Sequence, residues 1–312
     1  MTAAATEPAP RLKGRSRTRA ALGAALPRDE AGLAFALVDL FGHEIDDYAE
    51  LIGGPGERVT GFMTRGEGAP FAERVRVVFA ELGLGAAAHE RFAALSSWFA
   101  HRRGFLKIEW HRGDAGCEPL VACYFRRRPA VADALVRLGE LGLGPRSLAR
   151  VRAMSEMLDK ATIHFVSAAF RPGRAAHHKL YFSQMADADG RAAAGVRLER
   201  VFDLFEIAGP GRERWRELHE TMLGGGAPTW FVSTSCAGDE PSADFKIDYP
   251  EVPAASAVLW RPPDERDERA AEIDRLCSRA GTQALSFLGV RFFPGDAAPA
   301  IKYYADVPRG EP

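Results

Sequence analysis

The chain has 312 residues and a mass of 34.0 kDa, 46% of its residues are hydrophobic, and its formal net charge is −1 with a pI near 6.7. This content supports a sizeable core, organised as one large domain or two modest ones. The balanced charge gives no indication of a nucleic-acid partner or an anionic membrane surface, so any basic site must be local. No apolar run reaches the roughly 18 residues of a membrane span, and we predict a cytoplasmic location.

The first 28 residues are rich in alanine, proline and arginine and lack the compact apolar segment of a signal peptide. We therefore predict a disordered basic N-terminal arm over residues 1–28 and a single domain over residues 29–308. A contact of RLKGRSRTR with nucleic acid or a partner is the alternative, and the shortness of the segment disfavours it.

The cysteines form no CxxC pair and have no histidines at metal-ligand spacing. They are Cys117, Cys123, Cys236 and Cys277. We predict buried free thiols, because a free cysteine usually behaves as a small apolar residue.

The first elements predicted along the chain are helical. Residues 30–51 carry Leu33, Leu37, Leu40 and Phe41 at helical spacing, and the glycines at 53–56 end this helix. A short strand is predicted at 58–63 and a second helical stretch at 71–102. Glycines within 83–85 and 142–144 are predicted to end helices, and they lack the strand–glycine–helix context of a dinucleotide site.

From residue 105 onward, strand-like segments come in pairs joined by turn-forming residues, and helical sequence separates the pairs. The pairs are 105–112 with 120–127, 162–170 with 177–184, 229–236 with 244–251, and 284–293 with 300–307. A further short strand is predicted at 256–260. Repeated helix–strand–strand–helix units predict an α+β fold, in which an antiparallel barrel of about ten strands is surrounded by helices.

Side chains alternate between the two faces of a strand, so parity shows which residues share a surface. In LKIEWHR, one face carries apolar residues only, whereas Lys107, Glu109 and His111 share the other. The same division recurs in HHKLYFSQ, FKIDYP and IKYYADV. The polar faces repeat lysine, arginine, tyrosine and aspartate, including Lys179, Tyr181, Lys246, Asp248, Arg291, Lys302 and Tyr304.

Two interpretations of the polar face remain open. Lysines commonly decorate the solvated side of an open antiparallel sheet. Recurrence in four hairpins favours instead a barrel lumen with clustered cations. Because the chain has no glycine-rich phosphate loop, such a lumen suits a diphosphate held by side chains, and neighbouring aromatic rings would stabilise a carbocation.

The histidines give weaker signals. His177 and His178 are adjacent on a strand and face opposite ways, so a shared metal ion is disfavoured. His111 and His164 lie on inner faces and can serve either as an acid or base or as structural residues.

The strands HHKLYFSQ, DFKIDYPE and AIKYYADV resemble the Lys-x-Tyr strands of the aromatic prenyltransferases that have the ABBA, or prenyltransferase-barrel, fold. The resemblance covers roughly residues 100–308. It implies transfer of a dimethylallyl or geranyl group from its diphosphate to an electron-rich aromatic acceptor, such as an indole, a phenol or an aromatic residue of a peptide, in natural-product biosynthesis. That family usually has five strand pairs, and four are clear here.

The resemblance also implies roles for individual residues. Glu109 resembles the catalytic glutamate that accepts the N–H of an indole acceptor. The implied diphosphate ligands are Arg126, Lys179, Tyr181, Lys246, Arg291, Lys302 and Tyr304.

The strand VACYFRR lacks the aspartate that holds magnesium in some members, so we expect no required cofactor and do not favour a magnesium requirement. The expected partners are a prenyl diphosphate and an aromatic acceptor, with no nucleic acid and no membrane, and we expect a monomer. The alternative is a barrel that binds a hydrophobic or anionic small molecule without this chemistry.

Overall fold

The computed structural model describes residues 14–41, 45–52, 58–98, 104–113, 116–126, 128–185, 188–223, 229–280, 282, 284–295 and 298–305. The strands are β1 Ile45–Ile52, β2 Arg58–Gly66, β3 Gly104–Gly113, β4 Gly116–Phe125, β5 Phe165–Phe170, β6 His177–Met185, β7 Thr229–Ala237, β8 Glu240–Pro253, β9 Ala284–Phe292 and β10 Ala300–Tyr304. The helices are α1 Gly14–Ala25, α2 Arg28–Phe41, α3 Gly68–Glu81, α4 Ala86–Trp98, α5 Val131–Glu140, α6 Pro145–Met157, α7 Ala188–Leu204, α8 Pro210–Leu223, α9 Ala254–Ala257 and α10 Arg266–Ala280.

The ten strands form one antiparallel sheet in which each strand pairs with the next along the chain. The first and last strands, β1 and β10, contact each other, so the sheet curls into a barrel. A curled sheet of this size has an inner face with its own lumen. The predicted ten-stranded α+β barrel surrounded by helices is confirmed.

The outer face of the barrel packs against the helices. Leu106, Ile108 and Trp110 of β3 are at most 1% exposed, as the alternation predicts. The helices supply matching apolar stripes: α5, for example, buries Val131, Ala134, Leu135 and Leu138 at helical spacing. Burial of each large apolar side chain contributes about 1.5–3 kcal/mol, which fixes the strand register and so the parity of the inner face.

Two predicted helix ends are confirmed. Gly83 and Gly142 have φ angles of +66° and +85° directly after the C-caps of α3 and α5. Backbone N–H groups there donate to carbonyls of the last turn, as from Leu84 to Phe79 at 2.9 Å. Glycine adopts this left-handed conformation without the steric cost of a Cβ.

The prediction of a disordered arm is wrong for Gly14–Ala25, which form α1. Thr18 and Leu22 are fully buried, and Arg19 donates to Asp39 of α2 at 2.6 Å. The prediction gave weight to arginine and proline content and overlooked the high helix propensity of alanine and arginine. Residues 1–13 lie outside the described residues, and a single domain over residues 29–308 stays a prediction.

The predicted helix over 30–51 is wrong in its second half, where residues 45–52 form β1 and pair with β2. The apolar stripe ends with α2 at Phe41, and Gly42, a helix-ending residue type, follows it. The strand predicted at 58–63 is confirmed as β2, so β1 and β2 supply the fifth hairpin. The glycines at 53–56 lie outside the described residues.

Two other boundaries differ from the prediction. The stretch 71–102 forms two helices, α3 and α4, because the chain turns at Gly83. Residues 256–260 are helical and not a strand, and Trp260 packs edge-on against Phe292 with ring centroids 6.0 Å apart. Within the described residues, no helix combines the length and apolar character needed to cross a membrane.

Candidate functional site

The barrel lumen holds two connected chambers. The upper chamber, of about 620 Å³, opens towards the turn between β5 and β6 and is lined largely by charged and polar residues. The lower chamber, of about 270 Å³, is lined mainly by aromatic rings, among them Phe105, Phe165, Phe231 and Phe287. The interpretation of the polar strand faces as a lumen is therefore correct, and the open solvated sheet is excluded.

Five residues line both chambers and separate them, and we call this set the tyrosine layer. It comprises Tyr124, Tyr181, Tyr304, Lys107 and Lys246. The Tyr124 and Tyr181 rings have centroids 6.0 Å apart. The ammonium nitrogens of Lys246 and Lys107 lie 4.8 and 5.4 Å from the Tyr304 ring centroid. The rings thus already present faces to positive charge.

Lysine is concentrated in the lumen. The chain has six lysines, and Lys107, Lys179, Lys246 and Lys302 line the upper chamber together with Arg291. These residues come from strands β3, β6, β8, β10 and β9. Of the predicted diphosphate ligands, the structure brings Lys179, Tyr181, Lys246, Arg291, Lys302 and Tyr304 together in this chamber.

Arg126 is the exception. It lies beyond the end of β4, is exposed, and places its guanidinium 5.7 Å from the Phe165 ring centroid, beside the lower chamber. It lines neither chamber. The sequence placed it by the parity of Tyr124, but β4 ends at Phe125, and parity carries no information past the end of a strand.

Lys179 and Lys302 lack acidic partners within the described part of the chain. Burial lowers the pKa of Lys179 well below its usual value, and the nearby charges of Lys246 and Arg291 add to this effect, although Asp248 opposes it. Burial also lowers the pKa of Lys302, and Lys107 and Lys246 add to this effect, although Glu109 opposes it. Half-buried lysines placed close to other cations in this way favour the binding of an anion.

Lys246 and Arg291 do have acidic partners. Lys246 forms an ion pair with Asp248 and donates to the Tyr304 hydroxyl at 2.9 Å. Burial would raise the pKa of Tyr304, but Lys246, Lys107 and Lys302 outweigh it and lower that pKa. The Tyr304 hydroxyl is therefore a strong hydrogen-bond donor. Arg291 Nε lies 3.2 Å from Asp244 Oδ2 near the rim of the chamber.

Glu109 lies in the wall of the upper chamber and is only 3% exposed. Lys107 Nζ lies 2.6 Å from its Oε1, and His111 Nε2 lies 3.4 Å from its Oε2. Burial opposes the charged carboxylate, but Lys107 and His111 outweigh burial and hold the pKa of Glu109 well below its usual range. The carboxylate is therefore ionised, and it can accept a hydrogen bond from an N–H or O–H group of a ligand.

The sequence missed several residues of the chambers as ligand candidates. Lys107 shares a strand face with Glu109, and Tyr124 has the same parity as Arg126. Alternation alone could therefore have identified Lys107 and Tyr124 as ligand candidates. Arg171 and Arg174 line the mouth of the upper chamber, where both pair with Glu118, at 2.6 and 3.2 Å. They lie in the turn between β5 and β6, where strand alternation does not apply and so could not predict which way their side chains point.

His164, His178 and the cysteines take structural positions, whereas His111 and His177 line the upper chamber. His178 is buried outside the lumen, with its pKa lowered by burial to about 3, whereas its neighbour His177 faces the upper chamber. Burial lowers the pKa of His164 to about 4, and its ring packs against Phe165 and Phe231. All four cysteines are free thiols, and three are buried, whereas Cys117 is half-buried.

No group of three or more histidine, cysteine, aspartate or glutamate side chains in the described ranges is arranged to hold a metal ion. The lumen carboxylates Glu109 and Asp248 are each paired with a lysine.

Gly289 leaves the space that the Lys246 side chain occupies. It lies on β9, paired with both Asp248 and Lys302. A Cβ built there would lie 2.5 Å from Lys246 Nζ and 3.0 Å from Asp248 Oδ1. Because the obstructing atoms belong to the end of a flexible side chain, an added methyl group would displace the ammonium and leave the fold intact.

We therefore predict that Gly289→Ala weakens any interaction in which the Lys246 ammonium contacts an anion. The expected loss is about 1.5 kcal/mol, or about tenfold in affinity, measured by titration with inorganic diphosphate. Gly32→Ala in α2 is the matched control, because a Cβ there meets nothing within 4 Å. Equal diphosphate affinities of the Gly289→Ala and Gly32→Ala variants would contradict the prediction.

The helix–strand–strand–helix repeat, the curled antiparallel sheet and the charged lumen together define the ABBA prenyltransferase-barrel fold. Among solved structures, the chain is similar to 5-dimethylallyltryptophan synthase from Streptomyces coelicolor, with a TM-score of 0.59, 14% identity, and coverage of 95% of this chain and 96% of that one. A complex of PriB with its product diphosphate aligns with a TM-score of 0.57, 14% identity and 94% coverage of both chains.

AnaPT from Neosartorya fischeri has a TM-score of 0.58 at 11% identity, covering 96% of this chain and 94% of that one. No protein-family model matches the sequence, and no curated protein does. The shared fold is therefore recognisable in three dimensions at identities where sequence comparison fails.

Proposed function

We propose that this protein is an aromatic prenyltransferase, which moves a dimethylallyl or geranyl group from its diphosphate to an electron-rich aromatic acceptor. The observation that carries the proposal is the placement of Lys179 and Lys302, half-buried lysines without acidic partners among the described residues, above the tyrosine layer and an aromatic chamber. The similar PriB structure was solved with L-tryptophan and dimethylallyl thiolodiphosphate, which supports this donor and acceptor class.

In the proposed reaction, the basic side chains of the upper chamber bind the diphosphate. Lys179, Lys302, Lys246 and Arg291 balance its charge, and the hydroxyls of Tyr181 and Tyr304 donate to its oxygens. Because these groups are already in place, they stabilise the negative charge that develops on the leaving diphosphate as the allylic C–O bond breaks. No metal is required for this step in the proposal.

The tyrosine layer lies where the allylic cation would form. The faces of Tyr124, Tyr181 and Tyr304 attract positive charge and exclude water from it. Glu109 is proposed to accept the N–H or O–H of the acceptor, which raises the electron density of the ring during attack. The carbocation is then captured by the aromatic ring, and the ring loses a proton.

The proposal is tested by incubating the protein with dimethylallyl or geranyl diphosphate and a panel of indoles, phenols and tryptophan-containing peptides, with and without magnesium. We expect a prenyl adduct in the mass spectrum with at least one acceptor, and thermal stabilisation by inorganic diphosphate. Stabilisation without any adduct would favour the alternative of a barrel that binds an anion without this chemistry. If the protein shows neither stabilisation by diphosphate nor an adduct, the proposed prenyl transfer is refuted. A cytoplasmic location and a monomeric state stay predictions.

A further inference from the structure

Two lumen strands share a Lys-x-Tyr pattern, and a third strand has aspartate in place of the tyrosine. Strands β6 and β10 carry Lys179-x-Tyr181 and Lys302-x-Tyr304, whereas β8 carries Lys246-x-Asp248. Asp248 thus stands at the position where the other two strands place a tyrosine of the tyrosine layer. A carboxylate there introduces a negative charge and a proton acceptor beside the aromatic rings.

Asp248 is buried, at 7% exposure, and lines the lower chamber. Its Oδ1 pairs with Lys246, whereas its Oδ2 has no hydrogen-bond partner within the described part of the chain. Glu109, the other lumen carboxylate, also has an oxygen without a hydrogen bond, Oε1, but that oxygen forms an ion pair with Lys107 at 2.6 Å, and its Oε2 lies 3.4 Å from His111. A buried carboxylate oxygen without a hydrogen bond costs free energy, and a catalytic role is one of the reasons for which such a group is retained.

The two carboxylates lie in different chambers. Glu109 lines the upper chamber, and Asp248 lines the lower chamber next to Phe231, Phe287 and Ser286. The tyrosine layer, where the allylic cation is proposed to form, lies between them. An aromatic ring attacked at a carbon has two separate protons to manage: one on its heteroatom, and one on the attacked carbon.

We propose that Asp248 is the catalytic base that removes the proton from the attacked ring carbon, while Glu109 holds the heteroatom proton. This inference rests on the proposed function. The donor C–O bond breaks and diphosphate leaves with the electron pair. The ring then forms the new C–C bond through its π electrons, which leaves a cationic ring. Its C–H bond breaks, the electron pair returns to the ring, and the proton passes to Asp248 Oδ2. The acceptor is accordingly prenylated at carbon.

The test compares Asp248→Asn with the wild type, using dimethylallyl diphosphate and the acceptor of the panel that turns over, with and without deuterium at every ring carbon. We expect kcat to fall by roughly 10²- to 10⁴-fold, the usual contribution of a positioned base. The deuterium isotope effect on kcat should rise from near unity to a primary value, because proton loss becomes rate-limiting. Ser286→Ala, in the same chamber, should show no isotope effect.

Two results would overturn the inference while leaving the proposed function intact. One is an Asp248→Asn variant with a raised KM for the donor and no isotope effect, which would assign Asp248 to positioning Lys246. The other is a wild-type product prenylated at nitrogen or oxygen. If Asp248→Asn fails to fold, Asp248→Ser decides, because it also removes the carboxylate: a primary isotope effect supports the inference, and wild-type kinetics refute it. A wild type that forms no adduct refutes the proposed function itself.

Discussion

Glu109→Gln is expected to lower both the stability of the protein and its rate of prenyl transfer. The substitution leaves the buried Lys107 ammonium without its counter-charge, which lies 2.6 Å away in the native protein. Breaking a buried ion pair by removing one partner typically costs about 3–5 kcal/mol of unfolding free energy. Loss of a charged hydrogen-bond acceptor for the aromatic substrate is expected to cost a further 1.5–3 kcal/mol of transition-state binding, or roughly 10- to 150-fold in kcat/KM.

The double variant Lys107→Met/Glu109→Gln separates the two effects. Because it removes both charges, we expect it to recover most of the unfolding free energy in a urea titration and to leave prenyl transfer impaired. Donor binding, measured with inorganic diphosphate, should be largely retained in Glu109→Gln. Wild-type kcat/KM in the double variant would contradict a role for Glu109 in the reaction, whereas unrecovered stability would contradict the ion-pair explanation.

Lys179→Met is expected to change the free and diphosphate-bound proteins in opposite directions. In the free protein, burial and the charges of Lys246 and Arg291 lower the pKa of Lys179 well below 10.5. The charged side chain is therefore unfavourable in the absence of ligand, and its removal should raise the melting temperature. With diphosphate present, the loss of one charged contact should cost about 1.5–3 kcal/mol, or roughly 10- to 150-fold in Kd.

The gain in stability should depend on pH in a defined direction. Because the pKa of Lys179 is lower in the folded than in the unfolded state, the unfolded state binds more protons between the folded pKa and 10.5. The unfolding free energy of the wild type therefore rises with pH over that interval. We expect the advantage of Lys179→Met, measured by urea titration, to shrink as the pH rises towards 10.5.

Lys160→Met is the matched control for this prediction. Lys160 follows α6 and lies outside both chambers. The Lys160→Met variant should bind diphosphate as tightly as the wild type does. A Lys179→Met variant that binds diphosphate as tightly as Lys160→Met would place the diphosphate elsewhere in the lumen.

The parity of the strands was predictable because it depends only on the chain. An apolar residue at every second position must face the helices, so Lys107, Glu109 and Lys179 had to share the opposite surface. Recurrence of that pattern from β3 to β10 also made curling of the sheet predictable, since a solvated face would not repeat the same few residue types. The sequence could thus indicate a cationic lumen without any knowledge of distances.

Other features depend on contacts between distant parts of the chain. Residues 45–52 form a strand because β2 pairs with them, and the helical spacing that ends at Phe41 gave no indication of that pairing. Gly14–Ala25 form a helix that packs on α2, where Leu22 is fully buried. Local composition underestimates such segments, since tertiary packing stabilises them.

The sequence by itself determined the inner face of the barrel, its lysines and tyrosines, and the order of its hairpins, because strand alternation and turn chemistry are local properties. The pairs Lys107–Glu109 and Lys246–Asp248 each join residues two apart on one face of one strand, so they are local as well. Only the tertiary structure decided which charges stay without a partner: the curved sheet leaves Lys179 and Lys302 without acidic partners among the described residues, and leaves Arg126 outside the lumen. Those distances depend on how the ten strands close, since charge balance in the lumen is a property of the whole barrel.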